Sequence, residues 1–295
     1  MIRLVVTGRH GQLASCLRLV GQDSGDIEVV AVGRPELDLE NPASVAAGIA
    51  AARPDIVVNA AAYTAVDRAE QDEARAYAVN RDGAGAAALA AARLGVPFIH
   101  LSTDYVYPGD KAGPYVESDE TGPLGVYGKS KLAGELAVRA AHPAALILRT
   151  AWLYSPYGAN FVKTMLRLGA ERDSLGVVDD QTGNPTSAVD LADAIMRIAP
   201  TLVASGGEPL TLHLCGTGDV TWCGFARHIF ETGVAMGGPH PAVRAISTAG
   251  YPTLAKRPAN SCLSTNAFRT KFGFRLRPWQ QAVTETLSKL LQPAI

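Results

Sequence analysis

Short apolar runs alternate with alanine-rich stretches along the first half of this chain. The first run, Ile2 to Thr7, leads into a turn with two glycines, after which apolar residues recur at helical spacing. Four similar runs follow, at 27–32, 56–59, 98–102 and 146–150. Strands that alternate with helices indicate a parallel sheet covered by helices on both faces. The sequence therefore predicts an α/β fold built on a doubly wound parallel sheet.

The turn after the first run carries a phosphate-binding pattern. Gly8 and Gly11 lie three residues apart, and Ala14 stands where a third glycine is common. A turn of this kind lets backbone N–H groups and a helix N-terminus approach a pyrophosphate. Two glycines also occur in many strand-to-helix loops for turn geometry alone. Its position directly after the first strand favours a dinucleotide site of the Rossmann type.

The end of the second run indicates which dinucleotide binds. An acidic residue at this position holds a ribose 2′-hydroxyl, whereas Arg34 offers a guanidinium that suits a 2′-phosphate. We predict NADPH as the cofactor, with NADH as an alternative donor. An ordinary exposed arginine is the competing interpretation.

The alternation of strands and helices loosens in the second half. Glycine and proline cluster at 155–158, 182–185 and 237–239. We predict a dinucleotide-binding domain over residues 1–151. Residues 152–295 are expected to form mainly a smaller substrate-binding lobe, with some segments returning to the first domain.

Thr103, Tyr127 and Lys131 have the order and spacing that reduction of a carbonyl group needs. Residues four apart share one face of a helix, so Tyr127 and Lys131 are expected to face one site. A free phenol has a pKa of about 10, and we expect the neighbouring ammonium to lower that pKa. Thr103 follows a predicted strand and can donate a hydrogen bond to the carbonyl oxygen. Such a Tyr and Lys pair also arises by chance, and the glycine turn upstream gives it weight.

Charge and cysteine content narrow the classes of partner. The net charge is −1 and the pI is near 6.6, which leaves no basic surplus for nucleic acid. Four cysteines lie far apart, and we expect reduced thiols in a cytoplasmic protein. We also expect no membrane segment, because no apolar run reaches about 18 residues, and no signal peptide.

Taken in order, the motifs resemble those of the extended short-chain dehydrogenase/reductases, and within them the dTDP-4-dehydrorhamnose reductases. The matching motifs are Thr7-Gly8-x-x-Gly11-Gln12-Leu13, Ala61-Ala62-Tyr63-Thr64, Ser102-Thr103-Asp104-Tyr105, Tyr127-Gly128-Lys129-Ser130-Lys131, Arg149-Thr150-Ala151-Trp152, Asp180-Gln181-x-Gly183-x-Pro185-Thr186 and Arg257-Pro258-x-Asn260-Ser261. The resemblance implies NAD(P)H-dependent reduction of the 4-keto group of dTDP-4-dehydro-6-deoxy-L-mannose (dTDP-4-dehydrorhamnose), which gives dTDP-L-rhamnose.

The resemblance also implies roles for individual residues. Thr103, Tyr127 and Lys131 would be catalytic. The implied cofactor-binding residues are Gly8, His10, Gly11, Gln12, Leu13, Arg34, Asp38, Leu39, Ala60, Ala61, Ala62, Tyr63, Thr64, Tyr127 and Lys131. The implied substrate-binding residues are Thr103, Asp104, Tyr105, Trp152, Asn160, Gln181 and Arg257. For Trp152 and Arg257 the competing interpretations are a core residue and a surface cation.

The chain departs from the family in one respect. Some relatives bind Mg²⁺ between subunits through glutamates, one of them just past the glycine turn, where this chain has Ala14-Ser15-Cys16. Asp190 remains as a single candidate carboxylate. We therefore predict no metal, and either a monomer or a homodimer.

Three other functions stay open. A 4,6-dehydratase or 4-epimerase has the same fold, although dehydratases carry a glutamate where this chain has Tyr105. A reductase of another dTDP-4-keto sugar, such as a dihydrostreptose precursor, would carry the same motifs. A regulatory subunit resembling that of methionine adenosyltransferase would hold a partner enzyme, but the combined presence of Thr103, Tyr127, Lys131 and Trp152 favours catalysis.

Overall fold

The computed structural model describes residues 1–292, and its strands form one large sheet and three two-stranded ladders. The strands are β1 (Ile2–Thr7), β2 (Ile27–Val32), β3 (Ile56–Asn59), β4 (Phe98–Thr103), β5 (Leu146–Thr150), β6 (Leu153–Tyr154), β7 (Ser174–Val178), β8 (Thr182–Gly183), β9 (Thr186–Ser187), β10 (Leu210–His213), β11 (Val220–Thr221) and β12 (Ala242–Ile246).

The helices cover both faces of the large sheet and build the second half of the chain. They are α1 (Gln12–Gly21), α2 (Pro42–Ala52), α3 (Val66–Ala69), α4 (Glu73–Tyr77), α5 (Ala84–Leu94), α6 (Val126–Ala141), α7 (Phe161–Glu171), α8 (Ala188–Ser205), α9 (Trp222–Val234), α10 (Asn266–Phe272) and α11 (Trp279–Leu291). A π-helical turn (Ala78–Gly83) joins α4 to α5, and two 3₁₀ turns lie at Asp104–Val106 and Thr248–Gly250.

Six parallel strands form the large sheet, in the order β10-β5-β4-β3-β1-β2. The chain runs from β1 outward to β2 and then returns to the other side of β1 as β3. In open α/β sheets, the crevice at such a reversal of strand order is where ligands bind, at the carboxyl ends of the strands. The predicted doubly wound parallel sheet is confirmed.

Alternation along the strands sends apolar side chains to two separate cores. Leu4 and Val6 of β1 pack in the core beside α1 and α8, whereas Val5 packs in the core beside α2 and α5. The alanines of the predicted helical stretch are largely buried in α5. Small side chains there let the helix lie close to the sheet.

The second half of the chain contributes to two cores. β10 and α8 join the large sheet and its core, while α7, α9 and α11 surround a separate aromatic cluster that includes Tyr154, Phe225 and Trp279. The boundary at residue 151 stays a prediction. Within residues 1–292, no helix combines the length and the apolar character that crossing a bilayer needs.

Helix α6 begins earlier than its composition predicts. The residues whose composition is typical of a helix start at Ser130, but α6 starts at Val126, so Tyr127 lies in its first turn. The Glu70 carboxylate accepts a hydrogen bond from the Val126 N–H (2.8 Å). A distant side chain thus satisfies one of the free amides that begin a helix, which explains why local sequence hid the start.

Candidate active site

A cavity of about 830 Å³ opens at the carboxyl ends of the central strands. Every residue of the predicted catalytic and cofactor-binding sets lines it, as do Asp104, Tyr105 and Trp152 of the predicted substrate-binding set. Asn160, Gln181 and Arg257 do not belong to its lining. The structure therefore brings most of the predicted residues together, while their individual roles stay predictions.

The glycine turn has the geometry of a pyrophosphate cradle. Gly8 has φ +96°, which favours glycine, and a Cβ there would lie 3.4 Å from the Ala61 Cβ. α1 begins directly after Gly11 without a side-chain cap, so the first amides of the helix are free of such a partner. Both features fit the diphosphate of a dinucleotide.

Hydrogen bonds between strand ends hold the floor of the cavity. The Thr7 hydroxyl donates to Asn59 Oδ1 (2.7 Å) and accepts from the Ala61 N–H (3.1 Å). The Asn59 amide in turn lies 3.0 Å from His100 Nδ1. Burial holds the pKa of His100 well below its usual range, so the ring is neutral and its Nδ1 accepts from Asn59 Nδ2.

Tyr127 departs from the pKa that its sequence context predicted. Burial raises the pKa of Tyr127 to about 12, and the Thr103 hydroxyl only partly offsets this increase. The prediction of a lowered pKa for Tyr127 was wrong in its net direction, because desolvation of the phenolate dominates. The phenol is therefore protonated at neutral pH and suited to give a proton.

Lys131 lies one helical turn from Tyr127 and is buried. Its Nζ donates to the Leu101 carbonyl oxygen of β4 (2.6 Å). Burial lowers the pKa of Lys131 to about 8, and the Glu135 carboxylate acts in the opposite direction. At neutral pH the ammonium is mostly charged and its position is fixed by the strand.

Thr103 and Asp104 form a buried pair at the end of β4. The Thr103 hydroxyl donates to Asp104 Oδ1 (2.8 Å) and accepts from the Tyr105 N–H (3.2 Å). Burial raises the pKa of Asp104 to about 6. Asp104 Oδ2 is buried without a hydrogen-bond partner among the described residues, which is costly unless a ligand supplies one.

Aromatic rings form another part of the wall. The Tyr105 and Tyr127 rings meet edge to face with centroids 5.5 Å apart. The Trp152 indole lies parallel to the indole of Trp222, a residue that sequence reasoning missed. Trp222 follows Trp152 by seventy positions, so no local pattern could have revealed the pair.

Three residues predicted to bind substrate have partners elsewhere in the protein. Asn160 Nδ2 donates to Gln12 Oε1 (3.0 Å), and Gln181 Nε2 donates to the Thr248 hydroxyl (2.9 Å). Arg257 pairs with Asp67 through two hydrogen bonds of 2.7 and 3.2 Å. The contacts of Asn160 and Arg257 tie the second half of the chain to the first, whereas the contact of Gln181 lies within the second half.

Cations surround the end of the cavity beyond the second strand. Arg34 is exposed at the rim, and among residues 1–292 no carboxylate pairs with it. Arg9, by contrast, pairs with Glu36 (2.9 Å) and Arg75 pairs with Glu40 (3.1 Å). The Arg34 guanidinium is thus the one available to an anion in that group.

Asp190, the candidate carboxylate for a metal, is held by an arginine. Arg277 donates to its two oxygens at 2.8 and 2.9 Å, and also pairs with Glu285. In the part of the chain that the structure describes, no cluster of three or more His, Cys, Asp or Glu side chains is arranged around a metal position.

Two further buried residues support the site. Asn80, in the π-helical turn, accepts from the Tyr63 N–H (2.8 Å) and donates to the Ser130 hydroxyl (3.0 Å). Glu135 follows Lys131 by four residues on α6 and binds Arg149. The four-residue spacing of Tyr127, Lys131 and Glu135 was a usable signal for Glu135, whereas Asn80 had none.

Comparison with known proteins gives consistent matches over nearly the whole chain. Residues 2–292 match the family model described as RmlD substrate binding domain. A dTDP-4-dehydrorhamnose reductase of Sinorhizobium fredii is 50% identical over 292 residues, which covers 98% of each chain. Among solved structures, a dTDP-4-dehydrorhamnose reductase of Clostridium acetobutylicum aligns with a TM-score of 0.90 at 35% identity, covering 98% of this chain and 99% of the other. One from Bacillus anthracis, in complex with NADP, aligns with a TM-score of 0.89 at 34% identity and the same coverage.

Proposed function

The chain belongs to the dTDP-4-dehydrorhamnose reductases, within the extended short-chain dehydrogenase/reductases, and from that premise we propose its reaction. It reduces the 4-keto group of dTDP-4-dehydro-6-deoxy-L-mannose (dTDP-4-dehydrorhamnose) with NADPH, and the product is dTDP-L-rhamnose. The relatives' names and the bound NADP of the Bacillus anthracis structure support this choice.

One observation in the structure carries the proposal. A phenol that burial keeps protonated, Tyr127, lines the same cavity as an uncapped helix N-terminus and the Gly8 turn. Reduction of a ketone needs a proton donor beside a dinucleotide site, because the arriving hydride leaves an alkoxide. This cavity contains both parts.

The chain's own residues divide the chemistry among them. When bound, NADPH supplies the hydride. Tyr127 gives its phenolic proton to the developing alkoxide, and the charged Lys131 one turn away stabilises the phenolate that remains. The Thr103 hydroxyl stabilises the oxygen as it gains charge, which requires its proton to turn from Asp104 toward the substrate.

Other residues of the cavity wall hold the substrate and the cofactor in place. Asp104 Oδ2 accepts a hydrogen bond from a sugar hydroxyl, since it is buried and has no partner among the described residues. Tyr105 and Trp152 present ring surfaces to the sugar. Arg34 receives the 2′-phosphate of NADPH, which accounts for the predicted preference over NADH.

We also propose a cellular compartment and an assembly state for the enzyme. The enzyme acts in the cytoplasm as a monomer or homodimer. All four cysteines are buried free thiols, which suits a reducing compartment. Light scattering on the purified protein distinguishes the two assemblies.

The direct test is oxidation of NADPH by purified protein supplied with dTDP-4-dehydrorhamnose, followed by analysis of the sugar product. We expect stoichiometric dTDP-L-rhamnose. Turnover only with another dTDP-4-keto sugar would favour the dihydrostreptose type of reductase. NADPH binding without turnover of any keto-sugar would favour a regulatory subunit and contradict the proposal.

A further inference from the structure

Trp152 has a strained backbone at the edge of the active site. Its φ is +47°, in the left-handed region that residues other than glycine rarely adopt. Such a conformation costs free energy and persists only where the surroundings enforce it. Because Trp152 lines the cavity, what enforces its orientation also shapes the substrate site.

Three contacts surround the Trp152 indole. Its Nε1 donates to the Ser261 hydroxyl (3.1 Å). Its five-membered ring lies so close to Gly183 that a Cβ there would come within 2.4 Å of Cε2. The face of the indole lies against Trp222, with ring centroids 3.4 Å apart and planes 4° apart. The first two contacts hold the edge of the indole, and Trp222 stacks on its face.

Trp222 is itself firmly placed. It is the first residue of α9, which Thr221 caps by accepting a hydrogen bond from the Gly224 N–H (3.0 Å). Phe161 packs against the Trp222 ring, with centroids 4.6 Å apart. The strand that leads into α9, β11, pairs Val220 with Gly183 of β8. The pairing of β8 with β11 therefore places both Gly183 and Trp222 beside Trp152.

The position of Trp222 differs from that of an ordinary core aromatic. Its ring is only half-buried and lines the cavity. Trp279, in the same aromatic cluster, is buried, and its ring is not part of the cavity wall. Trp222 thus contacts both Phe161 and Trp152.

We propose that Trp222 is a positioning residue for the keto-sugar, which holds the Trp152 indole in the orientation that the substrate needs. The inference rests on the proposed function, because it assigns Trp152 to the sugar. Without the Trp222 ring, the strained Trp152 loses the contact on its face and is free to relax. Substrate binding weakens, while the glycine turn and NADPH binding are unchanged.

The test replaces Trp222 with Phe, Leu and Ala and measures KM for dTDP-4-dehydrorhamnose, kcat, and Kd for NADPH. An aromatic pair of this kind contributes enough for about a two- to tenfold effect. We expect KM to rise about tenfold in Trp222→Ala, less in Trp222→Leu, and little in Trp222→Phe, with Kd for NADPH unchanged. Trp279→Phe is the matched control and should leave KM unchanged.

Circular dichroism provides a readout independent of activity. The near-ultraviolet signal of the stacked Trp152 and Trp222 indoles should be lost in Trp222→Leu and persist in Trp279→Phe. A Trp222→Leu variant that lacks this signal, unfolds cooperatively and retains the wild-type KM would overturn the inference. If the wild-type protein itself shows no turnover, the proposed function fails instead, so the two failures are distinguishable.

Discussion

Burial shifts the pKa values of Tyr127 and Lys131, both in α6, in opposite directions. It raises the pKa of Tyr127 to about 12 and lowers the pKa of Lys131 to about 8. In both residues the charged form is disfavoured, because a low-dielectric site solvates it poorly. The phenol therefore holds its proton until an alkoxide demands it, and the lysine keeps its charge only within a limited pH range.

Removing the phenolic oxygen should abolish proton transfer and leave binding intact. We expect Tyr127→Phe to lower kcat roughly 10²- to 10⁴-fold, the usual contribution of general acid–base catalysis. Kd for NADPH should change little, because the ring remains. Tyr157→Phe, on an exposed loop, is the control. Near-normal turnover of Tyr127→Phe would show that another group donates the proton.

The pH dependence should report the ammonium of Lys131. Since its pKa is about 8, we expect kcat/KM to fall as pH rises through that value and the lysine loses its charge. Lys131→Arg keeps its charge at high pH, so any activity it retains should lack this alkaline decline. A wild-type profile that stays level to about pH 10 would contradict the role given to the ammonium.

Asp104 should limit stability at neutral pH. Its folded-state pKa, about 6, lies above the ordinary value of 3.8, so ionisation opposes folding. The stabilisation of the fold by the protonated carboxyl is fully present below about pH 4 and is lost as pH rises through about 6. The Asn side chain of Asp104→Asn can still accept a hydrogen bond from Thr103. We expect the free energy of unfolding of this variant, relative to wild type, to increase by about 2 kcal/mol from pH 4 to pH 8.

Thermal unfolding of both proteins at the two pH values measures this difference. Activity should fall in Asp104→Asn, since a site residue trades stability for function. If Asp104→Asn changes Tm equally at pH 4 and at pH 8, burial does not destabilise the ionised form of Asp104.

At the scale of elements, a buried network of polar groups ties α6 to three strands of the large sheet. The Ser102 hydroxyl of β4 donates to Glu135 of α6 (2.5 Å), and Arg149 of β5 donates to both Glu135 oxygens at 2.9 and 2.6 Å. Arg149 also donates to the Tyr107 hydroxyl (2.7 Å), which lies 2.7 Å from His213 Nε2 of β10. Burial lowers the pKa of His213 to about 4, so it is neutral here.

Disrupting this buried polar network should lower the free energy of unfolding far more than disrupting an ion pair on the surface. Glu135→Gln leaves the Arg149 guanidinium buried without its counter-charge, and we expect a loss of about 3–5 kcal/mol in the free energy of unfolding. Glu171→Gln removes an exposed i,i+4 partner of Arg167 and should cost about 0.5 kcal/mol or less. Urea denaturation compares the two. Similar losses would argue that Glu135 does not neutralise Arg149.

At the scale of the whole molecule, the second half of the chain reaches back to the cofactor turn. Gln12, the first residue of α1, accepts hydrogen bonds from Asn160 Nδ2 (3.0 Å) and the Ser155 hydroxyl (2.9 Å). Its own Nε2 donates to the Leu153 carbonyl oxygen (3.3 Å). The cavity is therefore closed by segments that are about 140 residues apart in sequence.

Removing the hydrogen bond between Asn160 and Gln12 should weaken NADPH binding. Asn160→Ser keeps an oxygen to cap α7 but removes the donor to Gln12, and we expect Kd for NADPH to rise about two- to tenfold. Asn41→Ser is the matched control, because Asn41 caps α2 in the same way and does not line the cavity. Isothermal titration measures both. An unchanged Kd in Asn160→Ser would mean that Gln12 is held without Asn160.

Local sequence was sufficient for the elements and the cofactor turn. The strands β1, β2, β3 and β5 have the predicted bounds, because buried parallel strands read as short apolar runs. The Gly8 turn and the four-residue spacing of Tyr127 and Lys131 are likewise local features. These features predicted the α/β fold, the candidate dinucleotide site and the candidate chemistry without any knowledge of contacts.

Tertiary structure alone decided what surrounds those residues. The direction of the Tyr127 pKa shift, the stacking of Trp222 on Trp152 and the attachment of Asn160 to Gln12 all depend on segments distant in sequence. Burial and long-range pairing arise only when the chain has folded, so the periodicity and spacing of residues in the sequence cannot predict them. The sequence determined which groups could react, and the packing of the two halves of the chain determined the environment of those groups.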